Sequence, residues 1–476
     1  MRILPAVTAL VLSGAAAMAA DAPLPRDDGY RGIWYFNQPS GDIYKYKYSG
    51  GFATYPQQHI PIAIYSREAD KTFFVYGGRS KEKNELLHMV SYFDHSTGKV
   101  PRPVILLNKK TSDAHENPVL SIDDKGYLWI FSPAHGSGGR PATARAVAVP
   151  GSFIHRSKAP YSIDAFERTW TGNFSYPQPW YVPGQGFLFL HTRYNSPLEP
   201  KGVIRGLHWM TSEGGLKWTD PRPLAGIEMG DYQISWRDGP RIATAFDYHP
   251  KPVGLNARAN IYYLETRDFG RTWQTAGGKP VETPVTAVDS PARIYDSRAE
   301  GLLVYLKDLA FDADGRPVIL FITSKGYESG PKNDPRTWRT AWWTGEAWAF
   351  RTLATSHNNY DHGSLYVGAD GAWRVIAPTA PGPQDYNPGG EVVSWLSRDQ
   401  GASWQKVKQL TTGSKRNHTY MRRPVNAHPD FYCLWADGNA REPSESSLYF
   451  TNRAGDHVWR LPTAMTEDFA APEVAW

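Results

Sequence analysis

Two turn signals recur along this chain, and their spacing limits the fold more than any other feature. The first is an Asp-x-Gly type turn leading into an apolar run. It occurs at Asp124-Lys125-Gly126, Asp312-Ala313-Asp314-Gly315 and Ala369-Asp370-Gly371, and more weakly at His428-Pro429-Asp430. The last three are about 56 to 60 residues apart, and Asp124 to Asp314 spans roughly three such units. The second is the Asp-box, Ser/Thr-x-Asp-x-Gly-x-Ser/Thr-Trp, with good copies at 266–273 and 397–404 and weaker echoes at 211–218 and 343–348. Its Asp bonds backbone amides across a hairpin turn and its Trp packs between units, so it carries structure, not catalysis. Short β-branched and aromatic runs lie between the signals, and helical periodicity is nearly absent. A period near 60 with four strands per unit implies blades, about seven of them. The fold class is therefore all-β, a single seven-bladed β-propeller over 21–476. The start near Tyr30–Tyr35 is expected to meet the tail from Arg460 to close the ring.

Residues 1–20 read as a secretory signal: Met1-Arg2, an apolar run from Ile3, then Ala17-Met18-Ala19 as an A-x-A cleavage site. The run is too short to span a membrane. The expected location is secreted or periplasmic. A lone cysteine, Cys433, excludes an internal disulfide and reads as buried and inert. The formal charge of +5 is spread evenly, with no basic cluster for nucleic acid. It suits an anionic substrate, and 18 Trp with 27 Tyr suit surfaces that stack on sugars. The expected partner is an acidic polysaccharide or oligosaccharide, bound by a monomer.

In a propeller the chemistry gathers at the channel mouth. His115, in Asp113–Pro118, and His135, in Ala134-His135-Gly136, bracket one hairpin and so share a rim. Tyr176 and Arg193 bracket the next, and Tyr232 and Tyr248 lie in later loops. Alone, each is an ordinary loop histidine, packing tyrosine or solvated arginine. Together they suit β-elimination from a uronate. A cation neutralises the C6 carboxylate and acidifies C5–H, one side chain takes that proton, and another protonates the departing O4. Glycoside hydrolysis usually needs two carboxylates, and no convincing pair stands at equivalent positions, although Asp113, Glu116 and Asp231 are near.

The segments Asp113–Pro118, Tyr176-Pro177-Gln178, His191–Tyr194, Asp231-Tyr232-Gln233 and Phe246–Pro250 resemble the BNR-repeat seven-bladed propeller polysaccharide lyases. That family includes ulvan lyases and L-rhamnose-α-1,4-D-glucuronate lyases. The resemblance implies cleavage of an α-L-rhamnosyl-(1→4)-glucuronate bond, with His115, His135, Tyr176 and Arg193 lining the site. Arg193 would take the carboxylate, Tyr176 and His115 would be the acid–base pair, and His135 would orient or neutralise. Tyr232 and Tyr248 would bind substrate. A related branch resembles this one in fold but contains α-L-rhamnosidases, which use a histidine on the opposite face at the position of His59. A non-catalytic carbohydrate-binding propeller is the third reading. Sialidases share the Asp-box, but no Arg-Ile-Pro motif or arginine triad is apparent. Catalysis calls for no cofactor. The resemblance suggests a structural zinc or calcium ion near the axis, with His249, His362 and His418 as its ligands or else as hydrogen-bonded channel histidines. Ulvan and rhamnose-capped arabinogalactan remain alternative substrates, with the loops at 136–140 and 384–386 expected to decide.

Overall fold

The turn signals fall where two strands of one blade must reverse. A computed structural model describes residues 23–136 and 151–476, so the leader and most of the 136–140 loop lie outside the described residues. Seven antiparallel sheets follow in chain order. Blade 1 spans residues 63–108, blade 2 119–172, blade 3 175–225, blade 4 231–295, blade 5 303–356, blade 6 364–409 and blade 7 417–474. Blades 1 to 6 have four strands, and blade 7 gains a fifth from Glu473–Val474. The first strands of neighbouring blades touch and so line the channel.

The turn between strands one and two carries the first signal. In blade 2, Asp123 accepts the amides of Lys125 and Tyr127 at 3.0 and 2.9 Å and the Trp129 indole N–H at 2.9 Å. Asp312 repeats all three bonds in blade 5 with Asp314, Arg316 and Trp342. The working aspartate is thus three residues before the glycine, which sits at φ +81° in Gly126 and +73° in Gly315, a region that favours glycine. The Asp-boxes occupy the turns between strands three and four of blades 4 and 6. Asp268 and Asp399 each accept a backbone amide and a hydroxyl from the residue four positions on. Both signals therefore mark one face of the disc. The opposite face is built from strand two-to-three loops and blade-to-blade connections, and it is free to vary.

Every blade is made from consecutive strands, so the ring closes by contact between its ends. Tyr30 N–H donates to Pro462 at 2.7 Å and Gly32 N–H to Ser446 at 2.9 Å. Phe469–Ala470 pairs with Val100–Pro101 of blade 1. Val425 exchanges bonds with Ala63 and Tyr65 of blade 1 at 2.9 and 3.0 Å. Cys433 is buried in blade 7.

One element stands outside the blades. Trp34–Pro39 and Tyr46–Gly51 form a hairpin that packs on the first two strands of blade 7. A Cβ at Gly51 would lie 1.7 Å from the Asp437 carbonyl, so only glycine permits this approach. The chain then turns through Phe52–Tyr55, held by Asn117 at the head of blade 2. The Asn117 side-chain amide donates to the carbonyls of Phe52 at 2.8 Å and Tyr55 at 2.7 Å, and it is fully buried. Asn117→Ala strands both acceptors, and it should lower stability by about 2–3 kcal/mol, read as a fall in urea midpoint at constant m. An unchanged midpoint would show that this clamp does not matter.

Candidate active site

Asp113 caps a short 3₁₀ turn, Ala114–Glu116, and its carboxylate accepts the His115 backbone N–H at 3.0 Å. The same carboxylate lies 2.6 Å from His115 Nδ1 and 2.7 Å from His135 Nδ1. The two rings stack with centroids 4.1 Å apart and planes 16° apart. One carboxylate bonded to both Nδ1 atoms fixes both rings as the Nδ1–H tautomer and leaves both Nε2 lone pairs facing away. Behind them, buried Glu116 accepts the His135 backbone N–H at 3.0 Å and pairs with buried Lys109 at 3.1 Å.

The two lone pairs meet different surroundings. His115 Nε2 lies 3.0 Å from the Tyr48 hydroxyl and 2.5 Å from that of Tyr55, and the ring is 5% exposed. His135 Nε2 lies 3.0 Å from the Tyr194 hydroxyl and 3.4 Å from that of Tyr176, and its side chain is 24% exposed. Tyr176 in turn lies 3.2 Å from Tyr194 and 3.1 Å from Tyr232, oxygen to oxygen. Tyr176 takes φ +49°, a strained value for a tyrosine, at the bulge that opens blade 3.

Cations flank the tyrosines. Arg205 Nε donates to Tyr194 Oη at 3.3 Å, and its guanidinium lies 5.1 and 5.9 Å from the Tyr194 and Tyr232 rings. Buried Arg258 lies 4.8, 4.9 and 5.6 Å from the rings of Tyr232, Tyr305 and Tyr360. Lys47, from the hairpin, donates to Asn256 at 2.5 Å. Burial, then the charges of Arg258 and Arg205, pull the Lys47 amine down to about 7.

These surroundings set the proton inventory. Burial, then the neighbouring His135, pushes His115 down to about 4, so it is neutral near pH 7. Burial alone would raise Asp113, but His135 and His115 outweigh it and keep the carboxylate ionised. Burial, then Tyr194 and Tyr232, holds the Tyr176 hydroxyl well above the ordinary phenol range, although Arg205 works against this. Tyr176 is therefore a proton donor in the resting site.

Several expectations need correction. Arg193 does not contact the His–Tyr cluster. It precedes Tyr194 on one strand, so the period of two turns it to the other side, toward His191 and His208. The arginine bonded to the cluster is Arg205, directly opposite Tyr194 in the strand pairing. Tyr248 is turned away in the same manner. Its hydroxyl accepts from Arg298 at 2.8 Å, and its ring packs edge-on to Tyr262. His59 is fully buried behind Tyr176, ring to ring at 5.6 Å, and is not accessible from either face. His249, His362 and His418 do not form a metal set. His249 packs against Tyr232 near Asp247, His362 bonds the Met421 carbonyl and Arg422, and His418 bonds Trp435 and Ser414. Tyr176, Tyr232, His115 and His135 do converge. Tyr194, Arg205, Arg258 and the hairpin residues Tyr35, Lys47 and Tyr48 were not read from the sequence. The Tyr194–Arg205 pair carried a signal, since both residues end strands at the same rim.

Residues 102–356 match the BNR repeat-containing family, which is more than half of the chain. The chain belongs to that family. It is 25% identical over 360 residues to an ulvan lyase of Alteromonas sp. (strain LOR), covering 70% of this chain and 71% of the relative. It is 23% identical over 359 residues to an ulvan lyase of Nonlabens ulvanivorans, covering 69% and 72%. In fold it is similar to a PL25 ulvan lyase solved with -[GlcA(1-4)Rha3S]-, at TM-score 0.68 and 17% identity over 90% of this chain and 96% of that one. These matches agree with the resemblance read from the sequence.

Two outcomes test the site. Asp113→Asn keeps the shape but frees both tautomers, and kcat should fall by on the order of 10²–10⁴ with Tm nearly unchanged. Lys47 is charged only below its pKa of about 7. KM for an acidic substrate should therefore climb as pH rises through 7, and Lys47→Met should raise KM at pH 6 and flatten that limb. A wild-type KM that stays level from pH 6 to 8 would remove Lys47 from substrate binding.

Proposed function

We propose that this protein is a polysaccharide lyase that cleaves rhamnosyl-(1→4)-glucuronate linkages of ulvan by β-elimination. The observation that carries the reading is the Asp113–His135–Tyr176/Tyr194 chain flanked by Arg205 and Arg258. Among the described residues, Asp113 is the one carboxylate hydrogen-bonded to these rings and hydroxyls, and both its oxygens are held by imidazoles. A two-carboxylate hydrolysis would have to draw on buried Asp247, which accepts the Tyr232 backbone N–H and bonds none of these hydroxyls. The family match and the ulvan lyase relatives support the same class.

In this reading Arg205, with Arg258 behind it, neutralises the C6 carboxylate. His135 Nε2 takes H5, directly or through Tyr194. The electron pair forms the C4–C5 double bond, the C4–O4 bond breaks, and the Tyr176 hydroxyl gives its proton to O4. Asp113 stabilises the imidazolium formed on His135. His115, tied at both nitrogens, acts as a positioning residue. Its pairing with Tyr176 as the acid–base couple, expected from the sequence, gives way to His135 and Tyr176. Rhamnose-capped arabinogalactan carries the same linkage and is the second candidate substrate. The leader and its A-x-A site support export.

Incubation with ulvan should generate ultraviolet absorbance of an unsaturated uronate and no free rhamnose. Arabinogalactan run in parallel separates the two substrates. Free rhamnose without absorbance would sink the lyase reading. Arg205→Met should lower kcat/KM by about 10²-fold or more, and Arg193→Met by much less. The reverse order would return the carboxylate to Arg193.

A further inference from the structure

A second histidine pair lies on the opposite face, at the seam between the first and last blades. His95 follows the third strand of blade 1, and His428 lies in the turn between the first two strands of blade 7. Their rings are 3.8 Å apart, centroid to centroid. Tyr65 packs on both, at 5.2 and 4.8 Å. Asp430 places a carboxylate oxygen 3.7 Å from His428 Nδ1. One ligand atom from each of the three residues lies within 4.8 Å of the others.

The ring nitrogens of the two histidines are engaged differently. His95 Nε2 lies 2.8 Å from the Thr72 hydroxyl, while His95 Nδ1 is buried and has no hydrogen-bond partner. His428 Nδ1 accepts a long bond of 3.2 Å from the Asp430 backbone N–H, so its proton also sits on Nε2. His95 thus has an unengaged Nδ1 near His428 and the Asp430 carboxylate, with Thr72 as an outer contact to its Nε2, and an ion at His428 Nδ1 would displace the Asp430 N–H. The 3.7 Å spacing is close to the roughly 3.3 Å between ligands on a tetrahedral ion with bonds of about 2.0–2.1 Å. A buried nitrogen without a donor, facing a second imidazole and a carboxylate, suits a cation.

We propose that His95, His428 and Asp430 form a divalent transition-metal site, suited to zinc, that pins blade 7 to blade 1. Two imidazoles and a carboxylate match zinc better than calcium, which takes oxygen ligands. Asp430 is 66% exposed, so solvent supplies the fourth ligand. The ion would join residues far apart in the chain at a seam that the Ile64–Val425 bridge and the Phe469–Ala470 pairing with Val100–Pro101 also close. It takes no part in the elimination, because it lies on the face away from the channel mouth.

The test uses the full chain, stripped with a chelator and titrated with zinc chloride by calorimetry, with calcium chloride in parallel. One zinc per chain should bind at this site and raise Tm by several degrees at saturation, while calcium should not bind. His428→Ala should abolish that binding. Asp430→Asn, at an exposed position that leaves folding intact, should weaken it about tenfold or more. Activity on ulvan should be the same with and without zinc at this site. Equal zinc binding by wild type and His428→Ala would place the metal elsewhere, for example on the Asp113 histidines, and overturn the proposal. So would no zinc binding at all.

Discussion

The Asp113 carboxylate is the contact on which the mouth of the channel depends. It caps the turn that carries His115, and it bonds the Nδ1 atoms of two stacked imidazoles. Two neutral rings at 4.1 Å tolerate each other, whereas two protonated rings would repel at a distance where screening by salt is weak. The shared carboxylate settles this by ordering the protons inward, so both lone pairs point outward. From there the roles diverge through surroundings alone. His115 faces two buried tyrosines donated by the hairpin and the loop after it, and His135, itself more exposed, faces Tyr194 and Tyr176 of blade 3. Chemically identical side chains thus stand ready for the different roles proposed for them, a support and a base.

A further constraint follows from burying so much polar material along one axis. Buried phenols cannot ionise at modest cost, and most tyrosines here are held above their ordinary range by burial first. They therefore serve as hydrogen-bond donors. Arg258 is buried without a hydrogen bond to a carboxylate among the described contacts. The rings of Tyr232, Tyr305 and Tyr360 surround it instead, and their negative faces stabilise a cation without neutralising it. An ion pair at that position would cancel the field, but an aromatic box leaves the positive charge available to an incoming anion.

The fold was legible because its signals are local. An Asp–Gly turn or an Asp-box is a closed set of hydrogen bonds within about eight residues, and the spacing between copies counts the blades. The histidine pair was legible for the same reason, since the turn at 123–126 forces 115 and 135 to one rim. The errors sit where strand alternation decides. Arg193 and Tyr194 differ by one position, and so do Asp247 and Tyr248; in each pair the neighbours face opposite sides, which spacing in the sequence does not fix. The hairpin at 34–51 was invisible as a site element because nothing within it shows that Gly51 docks on blade 7. Histidines 249, 362 and 418 do not form a metal set because they hold different positions: after a second strand, before a first strand and within a first strand.

The electrostatic arrangement connects the fold to its substrate class. A net charge of +5 spread over 476 residues produces little field of its own. The field at the mouth comes from placement: Arg205 and Arg258 flank Tyr232 with Lys47 near both, and the Asp113 carboxylate is already shared by two imidazole donors. In the proposed reaction a uronate entering there would meet a buried positive charge held by rings, where Coulomb attraction exceeds its value in bulk water several-fold. In the proposed elimination the same charge would favour the enolate-like transition state over the ground state, because negative charge grows on the carboxylate as C5–H breaks. The hairpin completes this pocket from outside the ring by adding Lys47, whose charge lapses near neutral pH. In the proposed reaction substrate capture would weaken as pH rises through about 7, while His115 stays neutral over that range as a support.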